Sequence, residues 1–303
     1  MRCVVLIALL LVSCPSWGAE QPKTPALPPA DSVAEFLQEI SVTLKCNDGQ
    51  GSGTMVVIPV NGKDRTFIWT AYHVIADLRA VKEVITPDGT KRQAVTFHEP
   101  EIVQEEIEDG ARVGERKMLT RVVTCSEKED LALLEVRKQG FARASAVFYL
   151  DKAVPKVGSD LWACGSPGGQ EIGAYSVTTG VISQIGRRFP EYPGEFDQVS
   201  CQGLPGSSGC GVYLRDGRFI GMLTMGIRGS DSFHYIVPLR RIKAWAEKMH
   251  VGWALGIGLP PTQADLDKIP IEDSGTMFKS TSAKTHGGTV PAVKFCIERE
   301  PLR

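Results

Sequence analysis

Residues 51–75 read GSGTMVVIPVNGKDRTFIWTAYHVI, and the reading of the fold starts there. Two β-prone runs, 53–59 and 66–70, lie in this stretch, and the second gives way to a short apolar helical turn opening at His73. Just ahead, NDGQGS at 47–52 is a strong turn signal that separates these runs from an alternating one at 40–46. The glycine-rich GQGSG at 49–53 lacks the lysine and following helix of a phosphate-binding loop, so it reads as a turn into a strand.

Outward from this stretch the pattern repeats. Further runs lie at 93–98, 118–124 and 131–136, and a second set at 160–165, 175–184, 210–214, 219–224 and 233–237. Turns such as SPGG (166–169) and RDG (215–217) separate the second set. Many short strands in two groups, with little helix between them, predict an all-β chain of barrels. The acidic stretch EPEIVQEEIED (99–109) reads as a solvated loop or hairpin face. A helix over 239–250 then closes the domain, with Ile242, Trp245, Ala246 and Met249 on one face. At the other end, 19–31 is a Pro-rich linker, and 32–40 is a short helix with Ser32 and Glu35 in capping-box spacing. Residues 251–303 show no strong period and read as an irregular tail, with room for part of it to pack on the domain.

The 303 residues suit one large domain or two smaller ones, and 43% hydrophobic residues are enough to build a core. A net charge of −1 gives no reason to expect nucleic acid or a basic membrane-binding face. Arg2 followed by the apolar run 3–12 reads as an export signal over 1–18, too short to span a bilayer. Two processing routes fit: a cut after the small residues around Gly18 and Ala19, or a lipobox LVSC (11–14) that leaves Cys14 as a lipid anchor. No later run is a transmembrane candidate. An exported chain that keeps Cys46, Cys125, Cys164, Cys201, Cys210 and Cys296 is compatible with disulfides of unassigned pairing. There is no CxxC pair and no His/Cys cluster at zinc spacing, so neither a metal nor a cofactor is expected.

Three segments carry chemistry. LPGSSGCG (204–211) places Ser208 among small residues, as a tight turn needs in order to expose a hydroxyl and aim N–H groups at an oxyanion. His73 follows a β-run, where a general base could be held at a barrel edge. Asp130 directly precedes the apolar run LALLEV, where it could orient an imidazole.

Together these segments resemble the trypsin-like peptidase superfamily, most closely its HtrA (Deg) branch. The resemblance rests on TAYHV (70–74), DLALLEV (130–136) and PGSSG (205–209), in the order His, Asp, Ser. GSGTMVV, ACGSPGG, TTGVISQIGR, FIGMLTMGI and HYIVPL support it, and it covers roughly 40–249. It implies two six-stranded antiparallel barrels with a C-terminal helix: barrel one at about 39–148, barrel two at about 149–238, and the site in the cleft between them. By that resemblance Ser208 is the nucleophile, His73 the base and Asp130 its orienting acid, and the backbone N–H groups of Gly206 and Ser208 form the oxyanion hole. Thr224, Met225 and Gly226 would pair with an extended peptide substrate. Gly226 would leave the primary pocket open and Gln202 would lie near its floor, so an uncharged residue before the scissile bond is expected rather than Arg or Lys.

Departures from the family pattern are also plain. Cys210 stands where glycine is usual, and as a rival nucleophile it lies two places beyond the expected position. Ser207 replaces the acid that pairs with a new N-terminus in pancreatic-type relatives. Residues 251–303 are too few for the PDZ domain that HtrA proteins commonly carry. The expected function is an exported serine endopeptidase, periplasmic or extracellular, acting on proteins or peptides. The alternative is a catalytically inactive relative that binds extended peptides.

Overall fold

The computed structural model describes residues 26–47, 49–85, 91–108, 111–227, 230 and 232–271. The expected signal (1–18), Cys14, the start of the linker, Cys296 and residues 272–303 lie outside the described residues.

Helix α1 (Val33–Glu39) leads into the fold and buries Val33 and Leu37. The expected capping box does not form there, because the Ser32 hydroxyl donates to the carbonyl of Pro29 at 3.1 Å instead. The first barrel comprises β1 (Ser41–Lys45), β2 (Gln50–Val60), β3 (Lys63–Thr70), β6 (Glu101–Glu108), β7 (Ala111–Ser126) and β8 (Leu131–Val136). It closes in the order β1-β2-β3-β8-β7-β6. The helical turn α2 (Tyr72–Ile75) and a separate ribbon, β4 (Arg79–Ile85) with β5 (Lys91–Phe97), interrupt it after β3. Val42, Leu44, Met55, Ile68, Ile102 and Leu134 fill its interior. The acidic stretch is a hairpin face: β6 pairs with β7 and sets Glu105 near Arg112 at 3.1 Å.

The second barrel is built from β10 (Asp160–Gly165), β11 (Ser176–Phe189), β12 (Tyr192–Val199), β13 (Gly211–Leu214), β14 (Arg218–Gly226) and β15 (His234–Pro238). Their order is β13-β10-β11-β12-β15-β14, and a β13–β14 pairing closes the ring. The short β9 (Val147–Phe148) joins β14 in parallel as an extra strand, and α3 (Gln170–Gly173) follows the turn after β10. The amphipathic α4 (Leu239–Lys248) then packs Leu239, Ile242, Trp245 and Ala246 into the core.

Buried hydroxyls join the barrels, and this seam positions the site. Thr43 Oγ1 meets Ser166 Oγ at 2.5 Å, and Thr54 Oγ1 meets the Tyr213 hydroxyl at 3.0 Å. Ser52 Oγ donates to the Gly206 carbonyl at 2.7 Å and accepts from the Ser166 N–H at 2.9 Å. A buried hydroxyl without a partner costs roughly 2–7 kcal/mol depending on the reference state, so these pairings fix one mutual placement of the barrels.

The chain beyond α4 is ordered against barrel one. Trp253 packs edge-on to Phe67 with ring centroids 4.8 Å apart, and the Trp69 indole N–H donates to the Ala254 carbonyl at 3.0 Å. A reciprocal capping box between Thr262 and Asp265 opens α5 (Gln263–Leu266). Among the described residues Cys46, Cys125, Cys164, Cys201 and Cys210 are free thiols, and the last four are buried, so none forms the disulfides with which the sequence is compatible.

Candidate active site

His73 and Asp130 come together at one edge of barrel one. Extended backbone at Ala71 ends β3, and α2 turns the His73 backbone N–H toward Asp130 Oδ1 at 3.0 Å. The same carboxylate receives His73 Nδ1 at 3.0 and 2.9 Å from its two oxygens. Asp130 sits in the left-handed region at φ 54°, which Asp tolerates better than most residues. The Glu127 carbonyl accepts the Asp130 N–H at 3.2 Å. Arg241 of α4 clamps the neighbouring turn, donating to Glu129 Oε2 at 2.8 Å and to the Glu129 carbonyl at 3.3 Å.

Burial pushes the Asp130 carboxyl up, but the opposing His73 charge and hydrogen bonds from His73 and Thr224 outweigh it and hold it below the usual aspartate range. The Thr224 hydroxyl donates to Asp130 Oδ2 in a short hydrogen bond. An ionised carboxylate only accepts, so Nδ1 of His73 carries a proton and a neutral ring keeps a lone pair on Nε2. That Nε2 is buried and has no hydrogen-bond partner among the described residues.

Ser208 lies in a loop wound by short-range bonds. Ser207 N–H donates to the Leu204 carbonyl at 2.9 Å, and Cys210 N–H to the Ser207 carbonyl at 3.0 Å. Across the seam, Ser52 N–H donates to the Ser208 carbonyl at 2.8 Å. Gly206 has φ 97°, and a Cβ there would collide with the Ser166 carbonyl oxygen. The Pro205 carbonyl accepts the Gly168 N–H at 2.6 Å. No peptide bond among the described residues is cis, so the Gly206 N–H points the opposite way from that carbonyl. Neither Gly206 N–H nor Ser208 N–H donates to another described residue. Ser208 Oγ is buried without a hydrogen-bond partner among the described residues, so it is not bonded to His73 Nε2 in this structure. The arrangement thus holds an anchored imidazole, an unengaged hydroxyl and two unengaged N–H groups.

Cys210 is a core residue. Burial, reinforced by the neighbouring Cys164 and Cys201 thiols, pushes its thiol well above the ordinary cysteine range. Burial likewise raises Cys164 and Cys201 to about 12. A thiol held protonated is a poor nucleophile.

The residues expected to bind substrate are distributed differently from one another. Gly209 N–H donates to the Leu223 carbonyl at 2.8 Å, so Thr224–Gly226 run directly on from the Ser208 loop. The β13–β14 ladder ends at Gly211↔Met222, which leaves Met225 and Gly226 paired only with β15 among the described residues, with Thr224 at a register shift in that ladder and one edge open. The side chains of Thr224 and Met225 are buried: Thr224 is spent on Asp130, and Met225 packs in the core, so only their backbone is available to a ligand. Gln202, expected near a pocket floor, is exposed. The ring against its neighbour Gly203 is His234, which in the sequence is marked only as part of the strand segment HYIVPL. The support given to Asp130 by Thr224 and Arg241 was also missed, because neither residue neighbours Asp130 in sequence. No group of three or more His, Cys, Asp or Glu residues suited to a metal ion occurs among the described residues. No described helix is long and apolar enough to cross a membrane.

Comparison with known proteins agrees with this architecture. The family described as "Trypsin-like peptidase domain" matches residues 51–222. Among solved structures, Deg5 is similar at 20% identity and TM-score 0.52, covering 74% of this chain and 94% of that one. The HtrA-type protease AlgW is similar at 18% identity and TM-score 0.54, covering 74% of this chain and 64% of that one. The serine endoprotease from Yersinia pestis is similar at 18% identity and TM-score 0.52, covering 77% and 69%. At these identities the likeness is one of fold. No curated protein matches.

Proposed function

Since the chain belongs to the trypsin-like peptidase domain family, we propose that it is an exported serine endopeptidase in which Ser208, His73 and Asp130 act as a triad. The observation that carries this reading is the state of His73. Its Nδ1 is fixed on a carboxylate that also accepts from the His73 backbone and from Thr224, while its Nε2 is left unengaged. Ser208 Oγ attacks the scissile carbonyl and passes its proton to Nε2. The imidazolium so formed is stabilised by Asp130 and returns the proton to the leaving amine. The N–H groups of Gly206 and Ser208 receive the oxyanion, a contribution of about 10²–10³ in rate per donor. Substrate binds extended along the open edge at Thr224–Gly226.

The apolar run behind Arg2 supports export to the periplasm or beyond, with Cys14 as a lipid anchor if the lipobox is used. We divide the chain into a leader (1–18), a linker with a short helix (19–38), the peptidase domain (39–249) and a C-terminal segment (251–303).

A second reading draws on the missing Ser208–His73 hydrogen bond: a catalytically silent member that binds extended peptides. Cleavage of casein and labelling by a fluorophosphonate, both lost in Ser208→Ala, would establish the first reading. A folded wild type that does neither would establish the second.

A further inference from the structure

Two glycines near the Ser208 loop, Gly203 just ahead of it and Gly226 at the end of β14, both neighbour His234. Gly226 pairs with His234 across β14 and β15. Directly opposed residues of an antiparallel pair present their side chains on the same face, and glycine has none, so that face belongs to the imidazole. The ring also reaches Gly203. His234 Nε2 lies 2.9 Å from the Gly203 carbonyl oxygen, and since a carbonyl only accepts, Nε2 is the protonated nitrogen. A Cβ on Gly203 would lie 3.0 Å from the ring's Cδ2, 3.2 Å from Nε2 and 2.8 Å from Leu223 Cδ2. Glycine at 203 is thus what lets the ring lie against this segment. His234 is 1% exposed, so it fills the space instead of lining an open slot.

We infer that His234 occupies the primary specificity pocket and restricts the substrate residue before the scissile bond to alanine, serine or glycine. This rests on the proposed substrate path along Thr224–Gly226 but not on catalysis. The open volume that Gly226 alone would leave is taken up by the ring, and its bond to Gly203 holds it there. A large side chain has no room, and a carboxylate side chain meets an Nε2–H already committed to a carbonyl.

The test measures binding, by calorimetry, of acetylated tetrapeptides with free C-termini, identical except for a last residue of Ala, Phe, Lys or Glu. The protein is full-length, as wild type, Ser208→Ala and His234→Ala, with library cleavage scored in parallel. The Ala peptide is expected to bind wild type and Ser208→Ala at least about tenfold more tightly than the others, and His234→Ala to gain the Phe peptide by a similar factor. Wild type preferring Phe or Lys would overturn the inference without recourse to any variant. A Glu preference lost in His234→Ala would overturn it in favour of charge recognition, and a folded His234→Ala with an unchanged profile would also overturn it. Selective peptide binding without cleavage would leave the inference standing and remove the peptidase reading. Cleavage that ignores His234 would do the reverse.

Discussion

Ser52, on a strand of the first barrel, donates its backbone N–H to the carbonyl of Ser208 in the second barrel at 2.8 Å, and its hydroxyl donates to the Gly206 carbonyl at 2.7 Å. The loop carrying the hydroxyl and the candidate oxyanion donors is therefore held by the barrel that carries His73 and Asp130. Replacing Ser52 with alanine keeps the N–H contact and removes the bonds to Gly206 and to the Ser166 N–H. Ser52→Ala is expected to cost about 1–3 kcal/mol in urea unfolding, since buried polar groups lose a partner. Casein cleavage should fall by up to about 10²-fold through misplacement of the loop. Unchanged rate and stability would show that the seam does not position Ser208.

Asp130→Asn preserves shape but can present an amide donor to Nδ1. Turnover should fall by about 10⁴-fold through the wrong imidazole tautomer. The variant also has a signature in stability. The folded Asp130 pKa lies below the ordinary aspartate value of about 3.9, so the ionised group stabilises the fold above that value. This contribution is lost as pH falls from about 4 through the folded value. Wild type should therefore lose stability more steeply on acidification than Asp130→Asn. Parallel slopes in denaturant titrations between about pH 5 and pH 2 would contradict the assignment.

Arg241 reaches from α4 to the turn that presents Asp130, with its guanidinium also lying over the Phe196 ring at 4.7 Å. Its side chain is 10% exposed, so Arg241→Ala leaves Glu129 with its main cation removed. A stability loss of about 3 kcal/mol is expected for breaking a largely buried pair. As a positioning residue it should lower kcat with little change in KM, and Arg241→Lys should restore part of the loss. An effect confined to KM would place Arg241 in substrate binding instead.

Cys210 should be dispensable for chemistry. Its thiol stays protonated at neutral pH, so Cys210→Ala should keep fluorophosphonate labelling at Ser208 and most of the cleavage rate. The cost should be about 1 kcal/mol of stability for the lost buried sulfur. Native protein should resist alkylation at this position, as mass spectrometry can report. Loss of labelling in a folded Cys210→Ala protein would reopen the question of which atom attacks.

Most strands and the closing helix could be read from the sequence because each rests on local signals, apolar periodicity and turn residues, whereas β4 and β12 lie in stretches where no such run was read. Even locally the reading slipped where two partners competed, as at Ser32, whose hydroxyl goes to Pro29 while a capping box forms far away at Thr262 and Asp265. That part of the segment after α4 packs on the domain was within the reading, but its partners, such as Phe67 for Trp253, were not, because these contacts are made with a distant barrel and follow no regular period. Only the tertiary structure decided that Thr224 would be spent on Asp130, that Ser52 would hold the Ser208 loop, and that His234 would fill the space beside Gly226. Each of these is a contact between residues far apart in the chain. Such contacts arise when two closed barrels dock along a polar seam in which buried hydroxyls such as Thr43, Thr54 and Ser52 pair across it, and no local pattern of residues encodes that matching.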